Sequence, residues 1–482
     1  MHYLNLAETA DPQLRTAGQR RWLRELTAEQ DNLHAALRWA IARRDTDTAL
    51  RFVRALGWYW MVRGQPGEPE ALARDVLRLQ PRELSPRLAE ARVVCAITAA
   101  GPSLDMETVQ PALAAAVADF VELARGEPPS SPIAAMGEPL LAIHDRDPER
   151  AFAALDRYMT SPDPWVRAAV QMLRGTLAKM LGRIDWAESG YRESLAAFRA
   201  LGEAWGAASV LIQLAELVQS RADYGTAIAA LEEAASLGRE LGAWGDLSYI
   251  DGMLAAIRLR TGDLDRARAD LERAEHAESQ RRLGNSDVGA WLFLVRAELY
   301  WREGDADAAA RCCTEVLAWL EQKQSRWWNG MRALVQARLA LVVLQGGDEA
   351  RCGVMLAAAL RAAAEWVERP ALAAVIDAIT VLARRVGSPV APGESPDRGA
   401  PRADPRRGAV LAATLLGAAH TIRGTFDAGS LDAPGAREAA RGVLGAAEFE
   451  AAYERGRTLS RDDALALASA VVADPVDPAP GP

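Results

Sequence analysis

Apolar side chains recur every three or four positions along most of this chain, the spacing of one face of an α-helix. Two stripes show the pattern clearly, one near the N-terminus and one in the middle. Their members are Leu23, Leu26, Leu33, Leu37 and Ile41 in the first and Leu247, Ile250, Leu254 and Ile257 in the second. No segment alternates apolar and polar residues for long, and no Asn-Gly or Asp-Gly turn separates β-branched runs. The pattern predicts an all-α protein.

A short turn signature recurs five times, and each copy lies between two helical stretches. The copies are 182–187 (GRIDWA), 222–227 (ADYGTA), 262–267 (GDLDRA), 304–309 (GDADAA) and 347–352 (GDEARC). Their first residues lie 40, 40, 42 and 43 positions apart. A Gly at the first position can end a helix in the left-handed conformation, and an Asp behind it can cap the next helix. The period predicts tetratricopeptide-like helical hairpins in a right-handed solenoid, followed by a small helical module.

Breaks rich in Pro and Gly divide the chain into six predicted segments. These are N-terminal helical pairs (1–80), an irregular helical segment (81–160), repeats (161–386), a disordered Pro/Gly linker (387–408), a C-terminal helical module (409–473) and a disordered tail (474–482). Residues 1–44 are expected to form two helices, because Pro12 should end the first one.

Composition narrows the class of protein. Half of the residues are apolar and the net charge is -9, which argues against a chain-wide nucleic-acid surface. No apolar run reaches the roughly 18 residues of a membrane span, and no secretory signal opens the chain, so we expect a soluble, cytoplasmic protein. The four cysteines form no CxxC pair and are expected to be reduced and mostly buried. They are Cys95, Cys312, Cys313 and Cys352.

Motifs for catalysis and cofactor binding are missing from the sequence. A Walker A loop needs a Lys directly after a Gly, and neither Lys179 nor Lys323 follows one. No two of the five His have the spacing of four that a helical metal site would use. We therefore expect a non-catalytic protein without a metal or cofactor. The enzyme alternative needs a buried cluster of titrating residues, for which the sequence offers no candidate.

A cluster of tryptophans is the strongest candidate for a binding surface. Six of them fall within 76 residues: Trp291, Trp301, Trp319, Trp327, Trp328 and Trp366. Each can fill a gap between helices in the core. Alternatively, some of them line an aromatic pocket, with nearby Arg supplying positive charge. The candidate binding residues are then Trp291, Trp301, Trp327, Trp328, Arg281 and Arg326.

Residues 29–37 (EQDNLHAAL), between Trp22-Leu23 and Trp39-Ala40, resemble a helix of actinobacterial transcription regulators of the AfsR/SARP and LuxR type. In that family the helix follows the winged helix of a STAND-class nucleotide-binding module and leads into tetratricopeptide-like repeats. The start, 3–8 (YLNLAE), fits the same place. The C-terminal positions that resemble the family's closing module are Leu444, Gly445, Phe449, Ala452, Gly456, Arg457, Leu459, Ser460, Asp463, Ala464 and Leu465.

The resemblance implies a sensor region that binds a protein, a peptide or a small-molecule effector. It would act allosterically on DNA-binding and ATPase domains, which this chain does not carry, and 1–80 would follow the position of a missing winged helix. The segment 81–160 has no clear repeat signature and departs from the family pattern. A free-standing adaptor unrelated to transcription is the alternative. In either case no direct nucleic-acid or membrane binding is expected, and stacking of uncapped terminal repeats would give a homo-oligomer.

Overall fold

The computed structural model describes residues 1–64, 67–101, 106–127, 129–145, 147–242, 244–280, 287–322, 328–365, 368–386 and 404–473. Within these ranges every regular element is helical. The first ten α-helices are α1 (His2–Gln13), α2 (Gln19–Ala28), α3 (Gln30–Ala42), α4 (Thr46–Arg63), α5 (Glu68–Leu77), α6 (Pro86–Ala100), α7 (Met106–Ala124), α8 (Pro132–Ala135), α9 (Gly137–His144) and α10 (Pro148–Tyr158).

The remaining helices are longer and more regular, and most of them form consecutive pairs. They are α11 (Pro164–Met180), α12 (Ile184–Leu201), α13 (Ala204–Gln219), α14 (Tyr224–Leu241), α15 (Trp244–Thr261), α16 (Leu264–Gln280), α17 (Asp287–Arg302), α18 (Ala306–Glu321), α19 (Asn329–Gln345), α20 (Glu349–Ala364), α21 (Arg369–Val386), α22 (Pro405–Arg423), α23 (Ala433–Leu444), α24 (Ala446–Arg457) and α25 (Arg461–Ala473).

The five turn signatures share one backbone conformation. The φ angles of their first residues are +72° at Gly182, +61° at Ala222, +81° at Gly262, +85° at Gly304 and +87° at Gly347. In the last four copies the following Asp accepts a backbone N–H three residues on, at 2.8–3.3 Å. Each signature therefore ends one helix and caps the next, which gives the hairpins α11–α12 to α19–α20. The predicted all-α fold of tetratricopeptide-like hairpins is confirmed.

The chain divides into two compact units. Unit 1 comprises Met1–Leu177, Trp186–Ala215 and Ala229–Ile250, and unit 2 comprises Ala178–Asp185, Glu216–Ile228 and Asp251–Pro482. Helices α11 to α15 contribute residues to both units. Among the described residues, no helix combines the length and the apolar character that crossing a bilayer requires.

The start of unit 1 forms three helices where the pattern predicted two. Helix α1 continues through Pro12, and the predicted second helix is interrupted at Glu29, where φ is -104° and ψ is 9°. The apolar stripe is buried on both sides of this break, for example at Leu26 and Leu33. A one-residue interruption leaves the spacing of the stripe almost unchanged, so periodicity could not reveal it.

In unit 2 the buried side chains of α22–α25 join one apolar cluster with those of α19–α21, including Ile376, Leu416 and Phe449. Helices α22 and α24 approach backbone to backbone, since a Cβ at Gly417 would lie 2.0 Å from the carbonyl oxygen of Tyr453. The predicted module boundary at 408 is therefore not the edge of a separate core. Most of the predicted linker, 387–403, and the predicted tail lie outside the described residues.

Candidate functional site

Three of the six sequence-predicted binding residues fall within the described structure, in three different surroundings. Trp291 packs against the apolar cluster of α15–α17, Trp328 belongs to that of α17–α19, and Trp301 borders that of α19–α25. The other three lie outside the described residues: Arg281, Arg326 and Trp327. The structure thus distributes the described tryptophans over three clusters, and their role in binding stays a prediction.

Trp301 has a charged neighbour, which connects it to a polar surface. Trp328 is 8% exposed and stands edge-on to Trp319, with ring centroids 4.8 Å apart, as expected of a core aromatic. Trp301 instead carries the guanidinium of Arg338 above its ring, 4.6 Å from the centroid. Arg338 leads to a polar surface that the sequence did not predict.

Four polar residues lie on corresponding faces of the first helices of successive hairpins. Their positions are counted back from the first residue of the turn signature that follows each of them. Ser220 and Arg260 lie two residues before it, Glu298 lies six residues before it, and Arg338 lies nine residues before it. Steps of four and seven residues return to nearly the same face of a helix. The four residues, from the end of α13 and from α15, α17 and α19, therefore form one surface of unit 2, called here the polar groove.

The loop between α22 and α23, residues 424–432, occupies the polar groove. It is called here the α22–α23 loop. The backbone N–H groups of Ala428 and Gly429 donate to the carbonyl oxygen of Ser220, at 2.8 and 3.3 Å. Nε of Arg260 donates to the carbonyl oxygen of Gly429 at 2.5 Å. These contacts involve only the backbone of the loop, which forms a turn here, since the N–H of Ser430 donates to the carbonyl oxygen of Asp427 at 3.3 Å. They therefore depend little on the loop's side chains.

Arg338 adds a contact that depends on a side chain of the loop. Its Nη1 and Nη2 donate to the two carboxylate oxygens of Asp432, at 3.4 and 3.1 Å. On the other side its Nε lies 3.2 Å from Oε2 of Glu298. With Trp301 beneath it, this planar cation has a carboxylate on each side and an aromatic face below.

The electrostatics of the polar groove follow from burial. Burial lowers the pKa of Arg260, although Asp427 and Glu298 oppose the shift. Burial also acts to lower the pKa of Arg338, but the carboxylates of Asp432 and Glu298 outweigh it and the net shift is upward. Both guanidinium groups remain charged at neutral pH, so the groove attracts negative charge.

A second buried ion pair anchors the start of the α22–α23 loop. Nη2 of Arg423, at the end of α22, donates to Oδ2 of Asp377 on α21 at 2.5 Å, and both residues are at most 5% exposed. Burial raises the pKa of Asp377 to about 6, against the opposing charge of Arg423. Next to this pair, a Cβ at Gly424 would lie 1.7 Å from the carbonyl oxygen of Gly182, so the two turns touch through their backbones.

Unit 1 contains an apolar cleft built from aromatic and Met side chains. Trp58 stands edge-on to Trp165 and to Trp205, with ring centroids 4.8 and 4.9 Å apart. The lining includes Met61, Met136, Met172 and Phe198. The free space is about 30 Å³, room for about two water molecules and far below the roughly 300–1,000 Å³ of ligand pockets. We therefore regard the cleft as a packing gap.

A buried carboxyl group caps α13 beside this cleft. Glu203 accepts the N–H groups of Trp205 and Gly206, at 3.2 and 2.7 Å, and the side-chain amide of Gln19 from α2. Gln19 in turn accepts the N–H of Ala204 at 3.0 Å. Burial raises the pKa of Glu203 to about 7, although these hydrogen bonds act to lower it. Its charge therefore changes near neutral pH.

The described residues contain no group of three or more His, Cys, Asp or Glu placed to hold a metal ion. The four cysteines are free and buried. Burial raises the pKa of Cys313 and of Cys352 to about 12, so these thiols stay protonated and are poor nucleophiles.

The sequence did carry a signal for the polar groove, although sequence reasoning missed it. Glu298 and Arg338 interrupt the apolar runs of α17 and α19 at positions that should face other helices. Their meaning depends on Asp432, which lies 94 residues beyond Arg338. In the same way the meeting of Trp165 and Trp205 around Trp58 was not predicted from the sequence.

Comparison with known proteins adds little. No protein-family model matches the chain. No curated protein matches it either. Among solved structures, the chain is similar to the TPR domain of P58(IPK), at 16% sequence identity and a TM-score of 0.20, over 74% of this chain and 95% of that one. A likeness of this size carries no argument about function.

Proposed function

We propose that this protein binds other proteins through the polar groove, as the sensor region of a bacterial transcription regulator. The observation that carries the binding function is the docking of a turn-forming segment, the α22–α23 loop, across the first helices of successive hairpins. A surface that holds one such segment by backbone hydrogen bonds and an ion pair has the chemistry to hold another.

Binding is favoured over catalysis by the groups that the polar groove presents. Arg260 and Arg338 are both engaged with hydrogen-bond acceptors, and the thiol near Arg338, that of Cys313, has a pKa raised to about 12 and stays protonated. The apolar cleft of unit 1 is too small for a drug-sized effector. A protein or peptide partner is therefore preferred over a small molecule, and no cofactor is proposed.

The regulatory role rests on the N-terminal resemblance. Residues 29–37 lie at the start of α3, where Leu33, His34 and Leu37 are buried, so the apolar positions of the motif help to build unit 1. A partner that binds one arrangement of the hairpins better than another would shift the population of that arrangement. In a regulator this shift would be passed to ATPase and DNA-binding domains in the cytoplasm, where free thiols are common.

The test is an affinity capture from lysate of the source organism with the full chain as bait. Parallel baits carry Arg338→Met, which removes the central cation of the polar groove, and Arg78→Met, which removes an exposed Arg paired only with Asp75. We expect the wild type and Arg78→Met to capture the same ATPase or DNA-binding protein, and Arg338→Met to capture much less, with circular dichroism confirming its fold.

Each other outcome has a defined meaning. Capture that is equal for all three baits would place binding outside the polar groove. Capture of proteins that include no ATPase and no DNA-binding protein would favour the free-standing adaptor. Capture of nothing by any bait would contradict the protein-binding function.

A further inference from the structure

The α22–α23 loop occupies the polar groove through contacts that another polypeptide can supply. Backbone atoms make the contacts to Ser220 and Arg260, and one carboxylate makes the contact to Arg338. The one aromatic side chain of the loop, Phe426, packs against the apolar cluster of α19–α25 and with Arg437 of α23, whose guanidinium carbon lies 4.8 Å from the centre of its ring. The loop is thus held in the groove by polar groups that a second segment can replace one for one.

The positive charge of the polar groove determines the sign of the charge that such a segment must carry. Without the loop, two guanidinium groups, on Arg260 and Arg338, face one carboxylate, on Glu298. Arg338 in addition loses its carboxylate partner Asp432. A partly buried cation strongly favours a replacement anion over water, so the occupant must be acidic.

Gly429 specifies the shape of the segment. It is buried, and a Cβ built on it would lie 2.0 Å from the carbonyl oxygen of Gln219, at the end of α13. Only glycine fits this close approach of two backbones. Asp432, which pairs with Arg338, follows three residues later.

Building on the proposed protein-binding function, we propose that the polar groove binds an acidic, turn-forming segment of a partner protein, in which a Gly is followed three residues later by Asp or Glu. The α22–α23 loop is the intramolecular competitor that this segment displaces. Because the loop is tethered, its high effective concentration keeps the groove closed until such a partner arrives.

The test measures binding of a labelled peptide with the sequence of residues 424–433 (GTFDAGSLDA) to the full chain. Gly429→Ala forces the chain's own loop away from Gln219. The matched control is Gly435→Ala on α23, an exposed position where a Cβ meets nothing within 4 Å. We expect Gly429→Ala to bind the peptide at least about tenfold more tightly than the wild type or the control, because its competitor is gone.

Two further measurements test the chemistry of the site. In the Gly429→Ala background, adding Arg338→Met should abolish binding, and a peptide with Asn at both Asp positions should bind at least about tenfold more weakly. If Gly429→Ala does not fold, Asp432→Asn replaces it, since this change frees Arg338 without any steric conflict. Peptide binding no tighter than that of the wild type in both variants, or equal binding of the neutral peptide, would overturn the proposal.

The proposal and the proposed function can fail separately. A partner captured through the polar groove, combined with no peptide binding by either open variant, would overturn the competitor proposal alone. Tight peptide binding by Gly429→Ala would support the proposal even if no partner were captured from lysate, a result that would count against the protein-binding function alone.

Discussion

Each of the two units contains a tryptophan with close neighbours. The side chains around the two tryptophans differ in polarity. In unit 1, Trp58 is enclosed by the edges of Trp165 and Trp205 and by Met side chains. In unit 2, Trp301 lies under the guanidinium of Arg338, which in turn needs the carboxylate of Asp432. The side chains that contact Trp58 are apolar, with Arg15 and Glu203 beside Trp165 at the edge, and the second environment is completed by a charged loop distant in sequence.

The difference separates a structural surface from a recognition surface. An apolar gap accepts any side chain of suitable volume, so it demands little of the chain that closes it. A groove with buried guanidinium groups is stable only when hydrogen-bond acceptors of the right geometry occupy it. The polar groove is therefore selective for its occupant, and the apolar cleft is not.

Truncating the aromatic centre of unit 1 should have the largest effect on stability. Trp58→Ala removes a side chain that is 2% exposed and leaves a cavity among aromatic rings. We expect a loss of about 4 kcal/mol in the free energy of unfolding, measured by urea denaturation and similar at low and high salt. A loss below about 1 kcal/mol would mean that the Met side chains close the gap, and that the cleft is not rigidly packed.

Removing the central cation of unit 2 should cost slightly less. Arg338→Met leaves Asp432 without its partner and Glu298 paired with Arg302, and we expect a loss of about 3 kcal/mol. The double variant Arg338→Met, Asp432→Asn should recover part of this loss, because it removes the carboxylate that Arg338 no longer compensates. The exposed Arg78→Met serves as the control and should change stability by less than about 1 kcal/mol. Equal effects of both Arg variants would contradict the account of the polar groove.

The pH dependence of stability should distinguish the units. The folded pKa of Glu203 is about 7, above its ordinary value of 4.5, so the folded state holds a proton that the unfolded state releases. This contribution is complete below pH 4.5 and is lost as the pH rises through 7, about 3 kcal/mol in all. Glu203→Gln should flatten the fall of the urea midpoint in this window.

Asp377 of unit 2 provides the comparison for this titration. Its pKa of about 6 is also raised, from 3.8, so its contribution has the same sign but is lost at lower pH. Asp377→Asn should therefore remove only its own contribution, between pH 3.8 and 6, and leave the fall between pH 6 and 7, which Glu203→Gln removes. If Asp377→Asn also flattens the curve between pH 6 and 7, the assignment of the titrating groups is wrong.

The smallest effect is predicted at a turn. Of the first residues of the five turn signatures, four are Gly and one is Ala222, yet the φ of Ala222 is also in the left-handed region, at +61°. Ala222→Gly should stabilise the protein by about 1 kcal/mol, since the left-handed conformation costs a β-carbon about that much. Thermal unfolding checks this value, with Gly225→Ala, a helical position with open space, as an independent reference. A destabilised Ala222→Gly variant would mean that the Ala methyl group makes contacts worth more than the strain.

Local features of the fold could be predicted from the sequence because neighbouring residues determine them. The left-handed residues, the Asp caps and the apolar faces follow from the turn signatures and from helical spacing. The interruption at Glu29 could not be predicted, because the apolar stripe continues through the helices on both sides of it, α2 and α3. The sharing of one apolar cluster by α19–α21 and α22–α25 could not be predicted either, because the Pro-rich composition of 387–408 says nothing about packing between the helices on its two sides.

Of the candidate site, the sequence predicted only a bordering residue, Trp301. Trp301 was among the sequence candidates, but the groups that recognise the loop are Ser220, Arg260 and Arg338. Each is unremarkable in its own helix, and their relation depends on which chain segment crosses them. Long-range pairing of this kind leaves no periodic signal.

The central claim is that the chain's own loop fills the polar groove, and amide hydrogen exchange of the unmodified protein tests it most directly. The N–H groups of Ala428 and Gly429 share the carbonyl oxygen of Ser220. They should exchange at least roughly a hundredfold more slowly than in a free peptide of the same sequence, and Gly429→Ala should abolish that protection. Exchange of both amides at the rate of the free peptide in the wild-type chain would contradict the account.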